Sequence, residues 1–117
     1  MLVGVDIVQI DRIQKMIDKF GLNGLKKFLS EDELELVKKA QSVAGFFAAK
    51  EAASKAIGTG IGAECSWHDI NISKTQKGQP VLKFSSRVVE KFDIENVSLS
   101  ISHDGNFAIA VVGITTK

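Results

Sequence analysis

The sequence predicts a single α+β domain in which helices pack against an antiparallel sheet. Apolar residues of the first half follow mostly helical spacing, whereas those of the second half alternate as they do in strands. The later strands are not joined by regular crossover helices, which argues against a doubly wound parallel sheet. A length of 117 residues fits one domain over residues 1–117, which can bury roughly two thirds of its unfolded surface.

The elements follow from local start and stop signals. Val3, Val5 and Ile7 alternate with small or polar residues and predict an N-terminal strand, and Ser30 with Glu33 forms a capping box that starts a helix. The first half begins with a strand over 2–10 and a helix over 11–20, which ends at Gly21. The residues of this helix region expected to face inward are Ile10, Ile13, Ile17 and Phe20. A helical or turn segment over 22–29, a helix from Ser30 to about Ala40, and a break at Gln41 and Ser42 follow. The second half contains strands over 67–73, 81–84, 97–101 and 107–114, a helix over 85–92, and turns over 74–80 and 103–106.

The stretch from Phe46 to Gly62 is the centre of the predicted site. Its first part is rich in Ala, Lys and Glu, which predicts a helix that ends at Gly58. Glu51 and Lys55 lie one turn apart on one face, a spacing that is typical of a surface ion pair. Five alanines leave this helix little solvated surface, however, so we expect its few charges to need partners.

Asp6 is unusual because aspartate is depleted in strands. It is an edge or turn residue or the partner of a nearby lysine, or else a metal ligand or general base with room beside it at Gly4. Asp6 and Glu51 together could bind Mg²⁺, since this ion takes few carboxylates and bridges phosphates. Lys50 and Lys55 could then neutralise a diphosphate, as phosphoryl-type transfer requires.

Two further motifs do not match standard catalytic patterns. Gly58, Thr59 and Gly60 follow a helix instead of opening one, so they are not a dinucleotide fingerprint, and they lack the Gly-Lys-Ser/Thr of a P-loop. Their amides and hydroxyl could hold a phosphate, and the alternative is a plain helix stop. The run Ser102 to Asp104 is not a catalytic triad, because neighbours on a strand point to opposite faces. His103 either stabilises the turn or donates to a ligand phosphate.

Local charge says more about partners than the net charge does. A net charge of +1 argues against a general nucleic-acid binder. Arg12, Lys15 and Lys19 share the outer face of the first helix, as either a solvated stripe or a contact for an acidic partner. The single Cys65 excludes an internal disulfide, and we see neither a signal-peptide pattern nor an apolar segment that crosses a bilayer. We therefore expect a cytoplasmic protein without a membrane partner.

An ordered set of motifs resembles one enzyme family, the holo-acyl-carrier-protein synthases, which are the short bacterial class of 4′-phosphopantetheinyl transferases. The motifs are, in order, Gly4-Val5-Asp6-Ile7, Phe47 to Ala52 with Ser54-Lys55-Ala56 and Gly58-Thr59-Gly60, Asp69-Ile70, Gly78-Gln79-Pro80, and Ser100 to His103. They cover essentially the whole chain, so their combination is far more specific than any one motif. The resemblance implies the α+β fold of that transferase family.

The resemblance also implies a reaction. A serine hydroxyl of an apo acyl carrier protein attacks the proximal phosphorus of coenzyme A, phosphopantetheine is transferred, and 3′,5′-ADP leaves. Asp6 and Glu51 would hold Mg²⁺, and either Glu51 or a metal-bound water would accept the serine proton. Lys55 would contact the phosphates and stabilise or protonate the leaving diphosphate oxygen.

Binding roles are implied in the same way. The residues expected to contact coenzyme A are Lys50, Lys55, Gly58, Thr59, Gly60, Gly78, Pro80 and His103. Arg12, Lys15 and Lys19 would meet the acidic helix of the carrier protein. Family members of this length are similar in forming homotrimers with sites between subunits.

The chain departs from the family pattern at Phe46, where the family usually has an arginine that helps to hold a coenzyme A phosphate. That contact is lost or comes from another group, such as Lys50 or a lysine of the 74–77 turn. Two other functions fit the same residues. One is a non-catalytic module that binds an acidic helical partner through Arg12, Lys15 and Lys19, and the other is a nucleotide hydrolase that uses the same metal site.

Overall fold

The computed structural model describes residues 1–117 and confirms the predicted α+β class. The strands are β1 (Leu2–Gln9), β2 (Ile70–Lys74), β3 (Pro80–Phe84), β4 (Ile94–Asp104) and β5 (Phe107–Thr116). The helices are α1 (Ile10–Lys26), α2 (Glu31–Leu36), α3 (Ala40–Ile57) and α4 (Ser86–Phe92), with a short 3₁₀ turn at Trp67–Asp69. None of the helices combines the length and apolar character that spanning a bilayer requires.

The strands divide between two antiparallel sheets. The larger has the order β1-β5-β4, and the smaller is the hairpin of β2 and β3. In the larger sheet Asp6 pairs with Ala110, and His103 pairs with Ala108 on the other side of β5. Because Ala108 and Ala110 are two residues apart on one strand, Asp6 and His103 lie on the same face of the sheet.

Helix α3 packs across this inner face, and its alanines are buried there: Ala48, Ala49, Ala52, Ala53 and Ala56. Gly4 of β1 lies so near to α3 that a Cβ atom added to it would be 2.0 Å from the carbonyl oxygen of Ala52. Small side chains on both elements therefore allow the close approach that brings Asp6 beside the polar side chains of α3. The expectation of a closely packed central helix is confirmed.

The start of α1 is held by the turn between β4 and β5. Gln9 at the N-cap position makes no side-chain cap. Instead, Asn106 accepts hydrogen bonds from the first two N–H groups of the helix. The N–H of Ile10 donates to the carbonyl oxygen of Asn106 at 2.8 Å, and the N–H of Asp11 donates to Asn106 Oδ1 at 3.0 Å. A tertiary contact thus replaces the local capping side chain that usually starts a helix.

Two helix boundaries differ from the prediction. Helix α2 ends at Leu36 and α3 begins at Ala40, so the break lies at residues 37–39 and not at Gln41 and Ser42. Val37 is extended and buried, because its side chain enters the core at this point.

Trp67, expected in a strand, lies in the 3₁₀ turn that Ser66 and Asp69 cap reciprocally.

The end of the first helix also differs. Gly21, at φ 56° and ψ −142°, breaks the helical geometry as expected, but α1 resumes and continues to Lys26. Phe20 was predicted to face the core and is instead 55% exposed. The prediction that Phe20 faces the core was therefore wrong.

One side of the larger sheet remains uncovered. Its exposed apolar side chains form the outer sheet face: Val3, Val5, Ile7, Phe107, Ile109 and Val111. The alternation predicted along β1 is confirmed, but Gly4 and Val8 face α3 while the larger residues point away from it. A contiguous apolar patch of this kind is typical of an interaction surface.

Candidate active site

Asp6, Glu51 and Lys55 form an acidic centre where β1 passes under α3. The Lys55 ammonium donates to Asp6 Oδ1 at 2.8 Å and to the carbonyl oxygen of Val5 at 3.4 Å. The hydrogen bond to Asp6 raises the pKa of Lys55, which keeps this side chain positively charged at neutral pH. Lys55 is therefore a donor at this site and not a base.

Glu51 is the unpaired member of the acidic centre. Its carboxylate is partly buried and neither accepts a hydrogen bond nor forms an ion pair within the chain. The surface ion pair with Lys55 that spacing suggested is absent, because Lys55 turns to Asp6. Burial raises the pKa of Glu51, repulsion from Asp6 raises it further, and the cations of Lys55 and Arg12 oppose both effects.

The acidic centre suits Mg²⁺ better than a metal that needs a full protein cage. No group of three or more His, Cys, Asp and Glu side chains comes together anywhere in the chain. Mg²⁺ needs only one or two carboxylates, because it keeps waters and binds substrate phosphates. A divalent cation would also relieve the repulsion between Asp6 and Glu51, so these residues fit the ion.

A pocket of about 200 Å³ lies on another side of α3. The α3 pocket is lined by Ser42, Gly45, Phe46, Lys74, Gly78, Pro80, Ile101 and His103. It brings together three residues that the sequence assigned to coenzyme A, namely Gly78, Pro80 and His103. The pocket and the acidic centre point in different directions, since Phe46 and Glu51 are about 140° apart around the helix axis.

Lys74 is the cation of the α3 pocket. Its ammonium lies 5.8 Å from the centre of the Phe46 ring, a geometry in which a cation is attracted to the ring face. It forms no ion pair with any carboxylate. The sequence pointed only to the lysines of the 74–77 turn in general, and the structure distinguishes Lys74, which lines the pocket, from Lys77, which does not.

Lys50 lies in neither the acidic centre nor the α3 pocket. Its side chain is fully buried, and its ammonium donates to Glu33 Oε1 at 2.7 Å and to the carbonyl oxygens of Phe28 at 2.7 Å and Trp67 at 3.2 Å. Burial lowers the pKa of Lys50 while Glu33 opposes this, and three acceptors around one nitrogen keep it protonated. The predicted coenzyme A contact of Lys50 does not fit this burial, so we correct its role to a structural one.

The glycine loop after α3 is a helix stop. The N–H groups of Gly58, Thr59 and Gly60 all donate to the carbonyl oxygen of Ser54, at 3.1 to 3.2 Å. The Thr59 hydroxyl donates to the carbonyl oxygen of Gly60 at 2.7 Å. These amides are unavailable to a phosphate, and the carbonyl end of a helix repels anions. The amide cradle expected here is thus corrected, while contact of coenzyme A with other atoms of this loop remains a prediction.

The basic stripe of Arg12, Lys15 and Lys19 is exposed on α1. The Arg12 guanidinium lies 5.5 Å from the centre of the Phe47 ring, which anchors it next to α3. Its charge also favours the ionised form of Glu51. The stripe therefore begins beside the acidic centre and runs away from it along α1.

The fold and this arrangement of charges define a family that comparison with known proteins identifies. Residues 2–112 match the family model of the 4′-phosphopantetheinyl transferase superfamily, and the chain belongs to this family. It is 59% identical to the holo-[acyl-carrier-protein] synthase of Nautilia profundicola, over 95% of this chain and 96% of that protein. The resemblance inferred from the motifs, and the expectation of a phosphopantetheinyl transferase, are confirmed.

Two solved structures show the same similarity. Helicobacter pylori holo-[acyl-carrier-protein] synthase in complex with coenzyme A superposes with a TM-score of 0.95 at 48% identity, over 97% of this chain and 100% of that chain. The Bacillus anthracis holo-(acyl-carrier-protein) synthase, in complex with CoA (3′,5′-ADP), gives a TM-score of 0.83 at 40% identity, over 99% and 96% of the two chains. The similarity thus extends over the full fold.

Proposed function

We propose that this protein transfers the 4′-phosphopantetheine group of coenzyme A to a serine of apo acyl carrier protein and releases 3′,5′-ADP. The observation that carries the proposal is the unpaired, partly buried carboxylate of Glu51 next to the Asp6–Lys55 ion pair. The family and the names of its relatives supply the substrate class.

The residues of the acidic centre divide the chemistry between them. Asp6 and Glu51 would hold Mg²⁺, which when bound would neutralise charge on the diphosphate. Glu51 takes the proton of the attacking serine hydroxyl, directly or through a water, since its carboxylate has no partner within the chain. Lys55 remains charged and donates to the diphosphate oxygen that leaves with 3′,5′-ADP.

The α3 pocket receives the nucleotide end of coenzyme A, between His103 and the turn at Gly78 and Pro80. The phosphate contact that the family obtains from an arginine at position 46 comes here from Lys74. Lys74 is free of carboxylate partners and lies over the ring of Phe46, the residue that replaces the arginine. Lys50, the other candidate, is buried elsewhere.

Replacing Lys74 by Ala is expected to raise the dissociation constant of 3′,5′-ADP by about tenfold, the effect of losing one charge-assisted hydrogen bond at an exposed site. Isothermal titration calorimetry measures this directly. Lys77→Ala is the matched control, since Lys77 lies in the turn directly after β2 but does not line the pocket. Equal losses in the two variants would contradict a specific role for Lys74.

A homotrimer with sites between subunits explains two features together. The outer sheet face is apolar and exposed, which suits burial against neighbouring subunits. The α3 pocket and the acidic centre lie on different sides of one α3 helix, so the pocket of one subunit can complete the acidic centre of the next.

Ile109→Asp is expected to give monomers in light scattering and to lose most transfer activity, because a charge would enter the subunit contact. Leu36→Asp is the matched control, since Ile109 and Leu36 are both 37% exposed and Leu36 lies outside the outer sheet face. Circular dichroism verifies that both variants fold. A folded Ile109→Asp variant that keeps the wild-type mass would argue against this interface.

The carrier protein docks on α1. The stripe of Arg12, Lys15 and Lys19 supplies positive charge, and the exposed Phe20 and Leu22 at the break of α1 supply apolar surface. A basic and apolar helix face of this kind fits an acidic amphipathic helix. Carrier and coenzyme A meet at the acidic centre, where Arg12 lies. We propose that this reaction takes place in the cytoplasm.

Intact mass spectrometry tests the proposal as a whole. Apo acyl carrier protein incubated with this protein, coenzyme A and Mg²⁺ should gain one phosphopantetheinyl group, and chelation should prevent the gain. A folded protein that binds the carrier without modifying it would support the non-catalytic module. Cleavage of coenzyme A in the absence of carrier would support the hydrolase instead.

A further inference from the structure

We propose that Gln41 is a positioning residue that fixes the tautomer of His103 at the α3 pocket. The inference rests on the proposed function, in which this pocket receives the nucleotide end of coenzyme A. Gln41 belongs to none of the motifs that carry the family resemblance.

The geometry around His103 determines where its ring carries the proton. Gln41 Nε2 lies 3.0 Å from His103 Nδ1. An amide nitrogen only donates, so Nδ1 must accept, and the neutral ring then carries its proton on Nε2. No carboxylate forms an ion pair with His103 to oppose this arrangement.

The contact ties two rigid elements together at the edge of the pocket. Gln41 belongs to the first turn of α3, directly before the pocket-lining Ser42, and His103 lies near the end of β4 in register with Ala108. With Nδ1 taken up by Gln41, Nε2–H is the free donor of the ring. Phosphate oxygens accept hydrogen bonds, whereas the other tautomer would present a lone pair to them and repel them.

The second histidine of the chain provides an internal reference. His68 Nε2 lies 3.2 Å from the carbonyl oxygen of Lys26, which can only accept, so His68 also carries its proton on Nε2. The hydrogen bond of His68 does not involve Gln41. Both rings should therefore have the same tautomer in the wild type, and only His103 should respond to changes at Gln41.

The tautomers can be measured on the free protein by two-bond ¹H–¹⁵N correlation at about pH 8, above the ordinary histidine pKa of about 6.5. We expect Nε2–H for both histidines in the wild type. Gln41→Ala should give a mixture at His103, and Gln41→Glu should shift it to Nδ1–H, since a carboxylate only accepts. His68 should not change. A wild-type His103 in the Nδ1–H form would overturn the proposal.

Affinity for 3′,5′-ADP is the second readout. Gln41→Ala should weaken binding by about 2- to 10-fold, the effect of one neutral hydrogen bond, and Gln41→Glu should weaken it more. In the transfer assay the loss should fall on KM for coenzyme A more than on kcat, as expected for a group remote from the reacting bond. A changed tautomer without changed affinity would refute the positioning role alone. A wild-type protein that neither binds 3′,5′-ADP nor modifies the carrier would refute the proposed function itself.

Discussion

Glu51→Gln is expected to reduce transfer of phosphopantetheine by roughly 10²- to 10⁴-fold, the range lost when a general base is removed. The amide keeps the shape of the side chain but can neither take the serine proton nor bind Mg²⁺ strongly. Asp6→Asn should also reduce transfer, because the centre then holds one carboxylate. The rates are obtained from the mass of the carrier protein over time.

The fold should tolerate Glu51→Gln. In the absence of ligands the carboxylate is penalised by burial and repelled by Asp6, so its removal should leave the melting temperature unchanged or higher. Glu35→Gln, on the exposed surface of α2, is the matched control and should retain full activity. If Glu51→Gln keeps more than about a tenth of the wild-type rate, Glu51 is not the base, since such a loss is below the general-base range.

The raised pKa of Glu51 also has two consequences for pH dependence. In the metal-free protein, Glu51 therefore ionises at higher pH than an ordinary glutamate, and a Mg²⁺ ion held by Asp6 and Glu51 would shift this ionisation back towards lower pH. The folded state holds this proton more tightly than the unfolded state, so the contribution of Glu51 to stability falls as the pH rises through its folded-state pKa. Both effects should be absent in Glu51→Gln.

The acidic centre could be predicted because its signals are local. Gly4 leaves room beside Asp6 in the strand, the alanines leave α3 little solvated surface, and Glu51 and Lys55 share one helix face. The outer sheet face was harder to anticipate. Both sides of β1 carry apolar residues, and only the packing of the small Gly4 on α3 decides which side is covered.

Long-range partners explain what the sequence could not predict. Gly58, Thr59 and Gly60 suit a phosphate loop or a helix stop equally well until their amides are seen to converge on one carbonyl oxygen. Lys50 lies beside Glu51 in the same helix, and nothing local says that it is buried. Its partner Glu33 is 17 residues away. In the sequence, the capping box with Ser30 already explains why a glutamate stands at position 33, so nothing suggests a second partner.

Lys50→Met is expected to lower the free energy of unfolding by about 3–5 kcal/mol, the typical cost of leaving one charge of a buried pair unpaired. Glu33 would keep its hydrogen bonds from the N–H groups of Ser30 and Ile72 but lose its counter-charge. Urea unfolding followed by circular dichroism measures the change. Lys91→Met is the matched control, because its ion pair with Glu64 is more than half exposed and should contribute little.

The double variant Lys50→Met/Glu33→Gln separates a charge effect from a packing effect. Removing both charges leaves neither one buried alone, so the double variant should lose clearly less stability than the sum of the two single changes. The Glu33–Lys50 pair links α2 to α3, and Glu33 also binds β2, the strand that leads to Lys74. At temperatures where Lys50→Met remains folded, its affinity for 3′,5′-ADP should be close to that of the wild type. A large loss of affinity in a stable Lys50→Met variant would instead restore Lys50 as a residue of the coenzyme A site.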